Sequence, residues 1–196
     1  EVIAVSDDDI TEDDFSGMDM ILISSSIIPT RLRGMSIEPP APVLCWETRA
    51  YYYLGWTGRA NNVDIGQADA TQLDIVLPDH PATPGMRSIP LFDEPMDAGW
   101  GVPAESADVL AVVPGDIRQP GVFIYETGDE LDNGDTSTAP RVGLFLYHTS
   151  TEYLNIAAWS FFDEIVDYVQ TLPTSVKEKH DVIVPTDSRL FPNTPN

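Results

Sequence analysis

Cysteine is almost missing from this sequence. Its 196 residues contain a single cysteine, Cys45, which excludes an internal disulfide and any zinc site built on cysteine pairs. Cys45 stands inside the apolar run at residues 43–46. A cysteine in such a run is expected to be a small core residue and not a nucleophile.

Positive charge is also scarce. The chain has 10 basic against 32 acidic residues and a formal net charge of −22. Nucleic acids and anionic membranes are bound by clusters of lysine and arginine, so neither is expected as a partner. The acidic surface favours a secreted or surface-exposed protein. No cofactor is expected, and calcium binding by some of the carboxylates is kept as an alternative.

Long apolar runs and glycine-rich phosphate loops are missing as well. No run approaches the roughly 20 residues of a membrane-spanning helix, and no motif indicates a nucleotide or a flavin. Hydrophobic residues nevertheless make up 42% of the chain, which is enough for the core of one domain. We expect an α/β domain over residues 1–172 and an extended tail or linker over residues 173–196.

The sequence around Glu47 is the most informative stretch. It predicts a buried strand at residues 43–46, a sharp turn at Glu47 and a helix that begins near Thr48. Two earlier runs have the same form: a strand at residues 2–5 that ends at Ser6, and a strand at residues 18–23 that ends at Ser24. Successive units of this kind predict parallel strands, whose carboxyl ends carry the binding groups of open α/β sheets.

The rest of the domain predicts further strands and one long helix. Strands are expected over residues 63–65, 73–77, 89–92, 108–113, 121–126 and 141–147, and a helix over residues 154–172. Many of these strands should form hairpins and add antiparallel pairs to a mostly parallel sheet. The helix is expected to bury the apolar residues that recur at helical spacing, namely Ile156, Trp159, Phe162, Ile165, Val166 and Val169.

Two short sequences indicate a family. The run Pro-Val-Leu at residues 42–44 leads, five residues after the proline, to Glu47, and the run Phe-Leu-Tyr-His-Thr-Ser at residues 145–150 precedes the last helix. In this arrangement the chain resembles the class I glutamine amidotransferase-like superfamily, including its trehalose-utilisation-type domains, over roughly residues 1–172. In that superfamily the corresponding elbow carries a cysteine, and the later strand ends in Phe-His-Pro-Glu.

The resemblance implies a flavodoxin-like three-layer fold, with a first strand that would precede Val2. It also implies a broken catalytic triad, because Glu47 replaces the cysteine and Ser150 the glutamate, while His148 is kept. A thiolate, a base and a group that orients the base are all needed for thiol catalysis. Glutamine hydrolysis is therefore expected to be absent.

Three functions remain as hypotheses. The first is a non-catalytic structural or recognition module of a larger extracellular protein or assembly, in which residues 182–184 of the tail add to the sheet edge of a neighbouring subunit. The second is a hydrolase of a carbohydrate or small molecule that uses Glu47 and His148 as an acid–base pair. The third is a calcium-dependent adhesive domain. Further ligand-binding candidates are Ser24, His80 and Glu126. Glu126, at the end of its predicted strand, is a candidate for the same crevice, whereas a structural turn is the alternative interpretation for His80.

Two local motifs allow more than one interpretation. Asp129, Asn133 and Asp135 surround Gly134 and superficially resemble a calcium loop, but Leu131 occupies a ligand position of that loop, so a hairpin turn is predicted. The aromatic residues at positions 51–53 and 56 form either part of the core or a surface on which sugars stack.

Overall fold

The computed structural model describes residues 3–6, 8–15, 17–34 and 41–174. The strands are β1 (Ile21–Ile23), β2 (Val43–Cys45), β3 (Ile65–Ala70), β4 (Gln72–Ile75), β5 (Ser88–Pro90), β6 (Met96–Gly101), β7 (Asp108–Val112), β8 (Pro120–Tyr125) and β9 (Arg141–Gly143). The helices are α1 (Thr48–Tyr53) and α2 (Ile156–Thr171), and 3₁₀ turns occupy Glu12–Phe15, Pro29–Leu32 and His148–Tyr153.

Seven of the described strands form one mixed sheet, in the order β1-β2-β9-β8-β7-β4-β5, and β3 pairs with β6 in a separate ribbon. The pairings of β2 with β1 and with β9 are parallel. The other four pairings of the large sheet are antiparallel. The expectation of a sheet-based α/β fold is confirmed. The antiparallel share is larger than expected, because the middle of the chain continues the same sheet as hairpins.

Both faces of the central part of the sheet are buried. Neighbouring residues of its strands point to opposite sides, and apolar residues cover each side. On one side, Leu44, Val122, Ile124 and Val142 pack with Phe161 and Ile165 of α2. On the other side, Val43, Cys45, Phe123 and Tyr125 pack with Ala50, Tyr51 and Trp56. The sheet formed by the predicted apolar strands therefore has a hydrophobic core on each side.

The first two predicted strands need correction. Residues 3–6 form no strand, and the strand expected over residues 18–23 is limited to β1. β1 is the edge strand of the sheet, and 53% of Leu22 is exposed. An apolar run such as residues 18–23 is typical of a strand covered on both faces, but the edge position of β1 leaves the side chain of Leu22 in solvent.

α2 forms close to its predicted bounds, but its buried face differs from the expected one. Asn155 caps its amino end, where Oδ1 accepts from the backbone N–H of Ala158 at 2.9 Å. The residues that α2 buries are Ala158, Phe161, Ile165 and Val169. Ile156 is 86% exposed and Trp159 is 44% exposed, so these two predictions are wrong. Among the described residues, no helix is both long and apolar enough to cross a membrane.

Candidate functional site

A cleft lies where the three parallel strands end. Because β1, β2 and β9 run in the same direction, the residues that follow them meet at one edge of the sheet. The cleft has a volume of about 380 Å³, and its lining comes from the ends of all three strands and from α2. The lining residues are Ser24, Ser25, Ser26, Trp46, Leu146, His148, Thr151, Trp159 and Phe162. We call this feature the strand-end cleft.

The strand-end cleft combines aromatic rings with hydroxyl groups. Phe162 makes edge-to-face contacts with Trp46 at 6.1 Å and with Trp159 at 6.0 Å between ring centroids. The hydroxyl groups of Ser24 and Ser26 are 2.5 Å apart and hydrogen bonded. Apolar ring faces beside hydroxyl groups suit a ligand that is itself amphipathic, such as a sugar, whose ring faces stack while its hydroxyls form hydrogen bonds.

Cys45 does not line the strand-end cleft. The residue lies in β2 and is fully buried, and its thiol donates to the carbonyl of Glu47 at 3.7 Å. Burial raises the pKa of the Cys45 thiol far above its usual value, with the charge of Glu47 adding to the shift. A thiol in this state stays protonated and is a poor nucleophile.

Glu47 has a structural task at the end of β2. It is the N-cap residue of α1, and its Oε1 accepts from the backbone N–H of Arg49 at 3.1 Å. Burial raises the pKa of the Glu47 carboxyl, while that hydrogen bond and the charges of Arg49 and His148 lower it in part. Glu47 does not line the strand-end cleft.

The residues after β9 do not assemble a triad. His148 has a φ of +22°, which is unusual for a residue other than glycine. The Ser150 hydroxyl is buried and donates to the Tyr147 carbonyl at 2.6 Å. Thr151 donates to the carbonyl of His148 at 3.2 Å. Ser150, two residues after His148, therefore bonds to the backbone and does not orient the imidazole.

The predicted candidates His80 and Glu126 are at the other end of the sheet. β8 runs antiparallel to β9, with Tyr125 opposite Arg141, so the end of β8 lies beside the beginning of β9 and far from its end. Glu126 follows β8 there and comes together with His80 and Asp108, all three offering ligand atoms within 4.8 Å of one another. The expectation that Glu126 would face the crevice of Glu47 and His148 is wrong, because β8 runs opposite to β9. His80 lies in a turn after β4, where its backbone N–H donates to the Leu77 carbonyl at 3.3 Å.

The tautomer of His80 limits what this second cluster can bind. The Nδ1 atom of the buried His80 accepts from the backbone N–H of Ala82 at 3.1 Å, so the neutral ring carries its proton on Nε2. Burial lowers the pKa of His80, and Asp108 and Glu126 oppose this shift. A metal-binding histidine normally donates its second ring N–H. His80 instead directs Nε2 towards Asp108, 3.8 Å from Oδ2, and Glu126 accepts a hydrogen bond from the Tyr168 hydroxyl at 2.9 Å.

The loop around Gly134 is the predicted hairpin turn. Glu130 and Thr136 form an antiparallel bridge, and Gly134 has a φ of +86°. Asn133 donates to Asp135 at 2.6 Å and accepts from its backbone N–H at 3.0 Å. The polar side chains of this turn thus bond to one another in the described structure.

The aromatic run of α1 divides between core and surface. Tyr51 and Trp56 are buried and stack at 5.8 Å, and the Tyr51 hydroxyl donates to the Leu144 carbonyl at 3.0 Å. Tyr52 and Tyr53 contact each other at 5.3 Å nearer the surface. The core interpretation holds for Tyr51 and Trp56, whereas Tyr52 and Tyr53 lie nearer the surface, because helical spacing directs neighbouring residues to different faces.

Sequence reasoning missed Asp108 and Phe162. Asp108 begins β7, which forms a hairpin with β8 and places Asp108 opposite Ile124. Asp108 therefore lies two residues from Glu126 across the hairpin, in a register that contains shifts between Val109 and Val112 and that the sequence does not supply. Phe162 was assigned to the buried face of α2, and no local signal distinguishes a core phenylalanine from one that lines a cleft.

Comparison with known proteins adds little. No protein-family model matches the chain, and no curated protein sequence matches it. Among solved structures, a cytoplasmic protein from Salmonella typhimurium is similar with a TM-score of 0.49 and 12% sequence identity, over 85% of this chain and 76% of that chain. A similarity of this degree carries no inference about function.

Proposed function

We propose that this chain is a recognition module without catalytic activity, part of a larger secreted or surface-exposed protein or assembly. The proposal includes the flavodoxin-like arrangement and the amidotransferase-like ancestry that the sequence motifs imply. The observation that carries it is the strand-end cleft, where aromatic rings and hydroxyl groups lie together at the ends of the parallel strands. Cys45 is sealed in the core, and Glu47 caps a helix.

The ligand class that fits the cleft best is a neutral carbohydrate. Trp159 leaves 44% of its surface exposed, which provides a face for a sugar ring. Serine and threonine hydroxyls both donate and accept, and so match the hydroxyl groups of a sugar. Sugars with carboxylate or sulfate groups fit less well, because the net charge of −22 repels them.

The test is titration with a panel of soluble neutral hexasaccharides, followed by calorimetry and by tryptophan fluorescence. We expect at least one hexasaccharide to bind, and Trp159→Ala to weaken its binding by roughly tenfold or more, as the loss of a stacking ring implies. The matched control is Tyr153→Ala, which removes another exposed aromatic ring outside the cleft. If no hexasaccharide binds, or if both variants bind as the wild type does, the proposal fails.

A hydrolase that uses Glu47 and His148 is the second candidate. The direction of the Glu47 pKa shift favours it, because a carboxyl that serves as a general acid needs a pKa above its usual value. The two proposals differ in what Glu47→Gln does. A recognition module keeps its affinity and never releases sugar from the bound hexasaccharide, whereas a hydrolase releases reducing sugar and loses that activity in the variant.

Location and partners rest on composition. A surface with 32 acidic residues suits a protein outside the cell, in contact with other domains or subunits of an assembly. The segment proposed to exchange between subunits, residues 182–184, lies outside the described residues. Calcium-dependent adhesion stays a further proposal, and it requires a rise in melting temperature with calcium that a chelator reverses.

A further inference from the structure

Four of the few basic residues of this acidic chain gather on one part of its surface. Arg31 and Arg33 lie in and after the 3₁₀ turn Pro29–Leu32, and Arg49 and Arg59 lie in α1 and shortly after it. The whole sequence has only 10 basic residues against 32 acidic ones. Such a concentration makes this the one region in the described structure where positive charge is grouped with exposed aromatic rings.

The arginines are ordered by tyrosine rings. The guanidinium of Arg59 lies over Tyr52 at 5.4 Å, and that of Arg33 lies over Tyr53 at 5.5 Å. Arg49, Tyr52, Tyr53 and Arg59 border a shallow cavity of about 520 Å³. We call Arg33, Arg49, Arg59, Tyr52 and Tyr53 the arginine–tyrosine patch. Stacking holds a guanidinium in place without neutralising it, so its N–H groups remain directed at solvent.

The charges of the patch are not neutralised by salt bridges. Within the described residues, Arg31 pairs with Asp8 at 2.7 Å and Arg118 pairs with Asp116 at 2.9 Å, whereas Arg49 and Arg59 form no salt bridge. Carboxylates are abundant in this protein, so an arginine has many possible salt-bridge partners. Arg49 lowers the pKa of Glu47 but has no carboxylate of the described residues within salt-bridge distance, and Arg59 stacks on a ring, so both guanidinium groups keep N–H donors for an anion from outside.

We propose that the arginine–tyrosine patch binds an acidic peptide segment of another protein, with carboxylates paired to Arg49 and Arg59. Guanidinium groups bind carboxylates through two parallel hydrogen bonds. Pro29 and Ile65 also line the cavity and provide apolar contact for the residues between the carboxylates. A sugar is the weaker fit here, because Arg59 and Arg33 already cover one face of each tyrosine ring.

The charge of the whole protein gives this binding an unusual dependence on salt. At low ionic strength the net charge of −22 repels an acidic peptide, since the screening length is about 30 Å at 0.01 M. At higher ionic strength this long-range repulsion fades, while the short contacts at the patch are only weakened. The association rate constant should therefore rise with salt, although oppositely charged partners normally associate more slowly when salt is added.

The experiment uses the full chain and a blocked hexapeptide that alternates leucine with glutamate. Surface plasmon resonance at ionic strengths from about 20 to about 300 mM gives the rate constants over a range in which screening changes strongly. We expect measurable binding, an association rate that rises with salt, and affinity reduced roughly tenfold or more in Arg49→Gln/Arg59→Gln. The same peptide with glutamine in place of glutamate should not bind.

The matched control is Arg118→Gln, which removes an exposed arginine elsewhere and changes the net charge in the same direction. Arg49→Lys/Arg59→Lys keeps the charge but loses the paired hydrogen bonds, and it should bind with intermediate affinity. Circular dichroism of each variant verifies that α1 is intact. Equal binding by the double glutamine variant and the Arg118 control overturns the proposal. So does binding of heparin, but not of the acidic peptide, through Arg49 and Arg59.

Discussion

At the residue scale, Glu47 combines two opposite effects on stability, because it caps α1 and also places a carboxylate in a partly buried position. The end of a buried strand and the beginning of a helix leave backbone N–H groups without intrahelical partners. A glutamate at this point satisfies one of them, through the hydrogen bond from Arg49 to its Oε1. The same carboxylate is partly buried, so its charged form is disfavoured. The residue therefore stabilises α1 through its oxygen and costs stability through its charge.

This opposition predicts a pH-dependent effect of Glu47→Gln. The raised pKa of Glu47 means that the folded protein holds this proton more tightly than the unfolded chain. Its contribution to stability is thus largest below the unfolded value of 4.5 and is lost as pH rises through the folded pKa. Glutamine keeps the accepting oxygen and carries no charge. The free energy of unfolding of the variant, relative to wild type, should therefore increase between pH 4.5 and neutrality.

Urea unfolding at a series of pH values measures this difference. Glu105→Gln changes an exposed carboxylate and is the matched control. Glu47→Ala removes the cap as well, and should be less stable than Glu47→Gln by about 1 kcal/mol at every pH. If the Glu47 and Glu105 variants follow the same pH profile, then burial of Glu47 has no energetic effect.

Cys45 gives a second test at the residue scale. Its full burial and raised pKa predict that the native protein does not react with a thiol reagent at neutral pH. In denaturing urea the same reagent should modify one thiol per chain, because the sequence has one cysteine. The absorbance change of an aromatic disulfide reagent measures both rates. Rapid modification of the folded protein would show that Cys45 is accessible to solvent and would contradict its burial in β2.

At the element scale, the junction of parallel and antiparallel strands depends on a close approach between β8 and β9. Gly143 of β9 lies opposite Phe123 of β8, and a methyl group added at Gly143 would come within 2.2 Å of the Phe123 Cζ atom. Both residues are at the centre of the sheet, where the ring has little room to move. Gly143→Ala should therefore lower the free energy of unfolding by about 1–3 kcal/mol.

A double-mutant cycle tests whether this contact is the cause. Phe123→Leu removes the ring edge that meets the new methyl group, at some cost in buried apolar surface. In the Phe123→Leu background, Gly143→Ala should be much less destabilising than in the wild type, as chemical denaturation can measure. Strict additivity of the two changes would show that the alanine acts through the backbone and not through the ring.

Much of the fold could be predicted wherever its causes are local. The strand β2, the turn at Glu47 and the helix that begins at Thr48 follow from one apolar run, one capping residue and one helical segment. The buried face of α2 could not be chosen in this way, because apolar residues occur on more than one of its sides. Ala158 and Phe161 are buried only because the sheet contacts that side, and this leaves Trp159 for the cleft.

The residues of the candidate site could likewise be predicted only where their positions have local causes. Ser24 and His148 lie in one cleft because each follows a strand of the parallel group, a relation that the order of elements in the sequence already contains. Glu126 is separated from them by the direction of β8, which depends on pairing with β9 across many intervening residues. Long-range strand pairing is set by the whole core and has no signature in a short window.

At the scale of the whole molecule, the net charge of −22 acts on stability as well as on binding. Like charges repel one another more in the compact state than in the expanded one, so the folded protein gains from screening. The exposed side of α2 illustrates this, since Asp163, Glu164 and Asp167 stand there together. Asp163 and Asp167 are four residues apart, a spacing at which like charges on a helix destabilise it.

Neutralising this group should therefore stabilise the protein, but only when salt is low. For Asp163→Asn/Glu164→Gln/Asp167→Asn we expect a melting temperature a few degrees above wild type at about 20 mM salt, with the difference largely removed at about 500 mM. The uncharged control is Ser160→Ala on the same helix, whose effect should be independent of salt because it changes only helix propensity. Calorimetric scans at both salt concentrations separate the two cases. A gain in the triple variant that persists undiminished at high salt would assign the effect to helix propensity and remove charge repulsion as its cause.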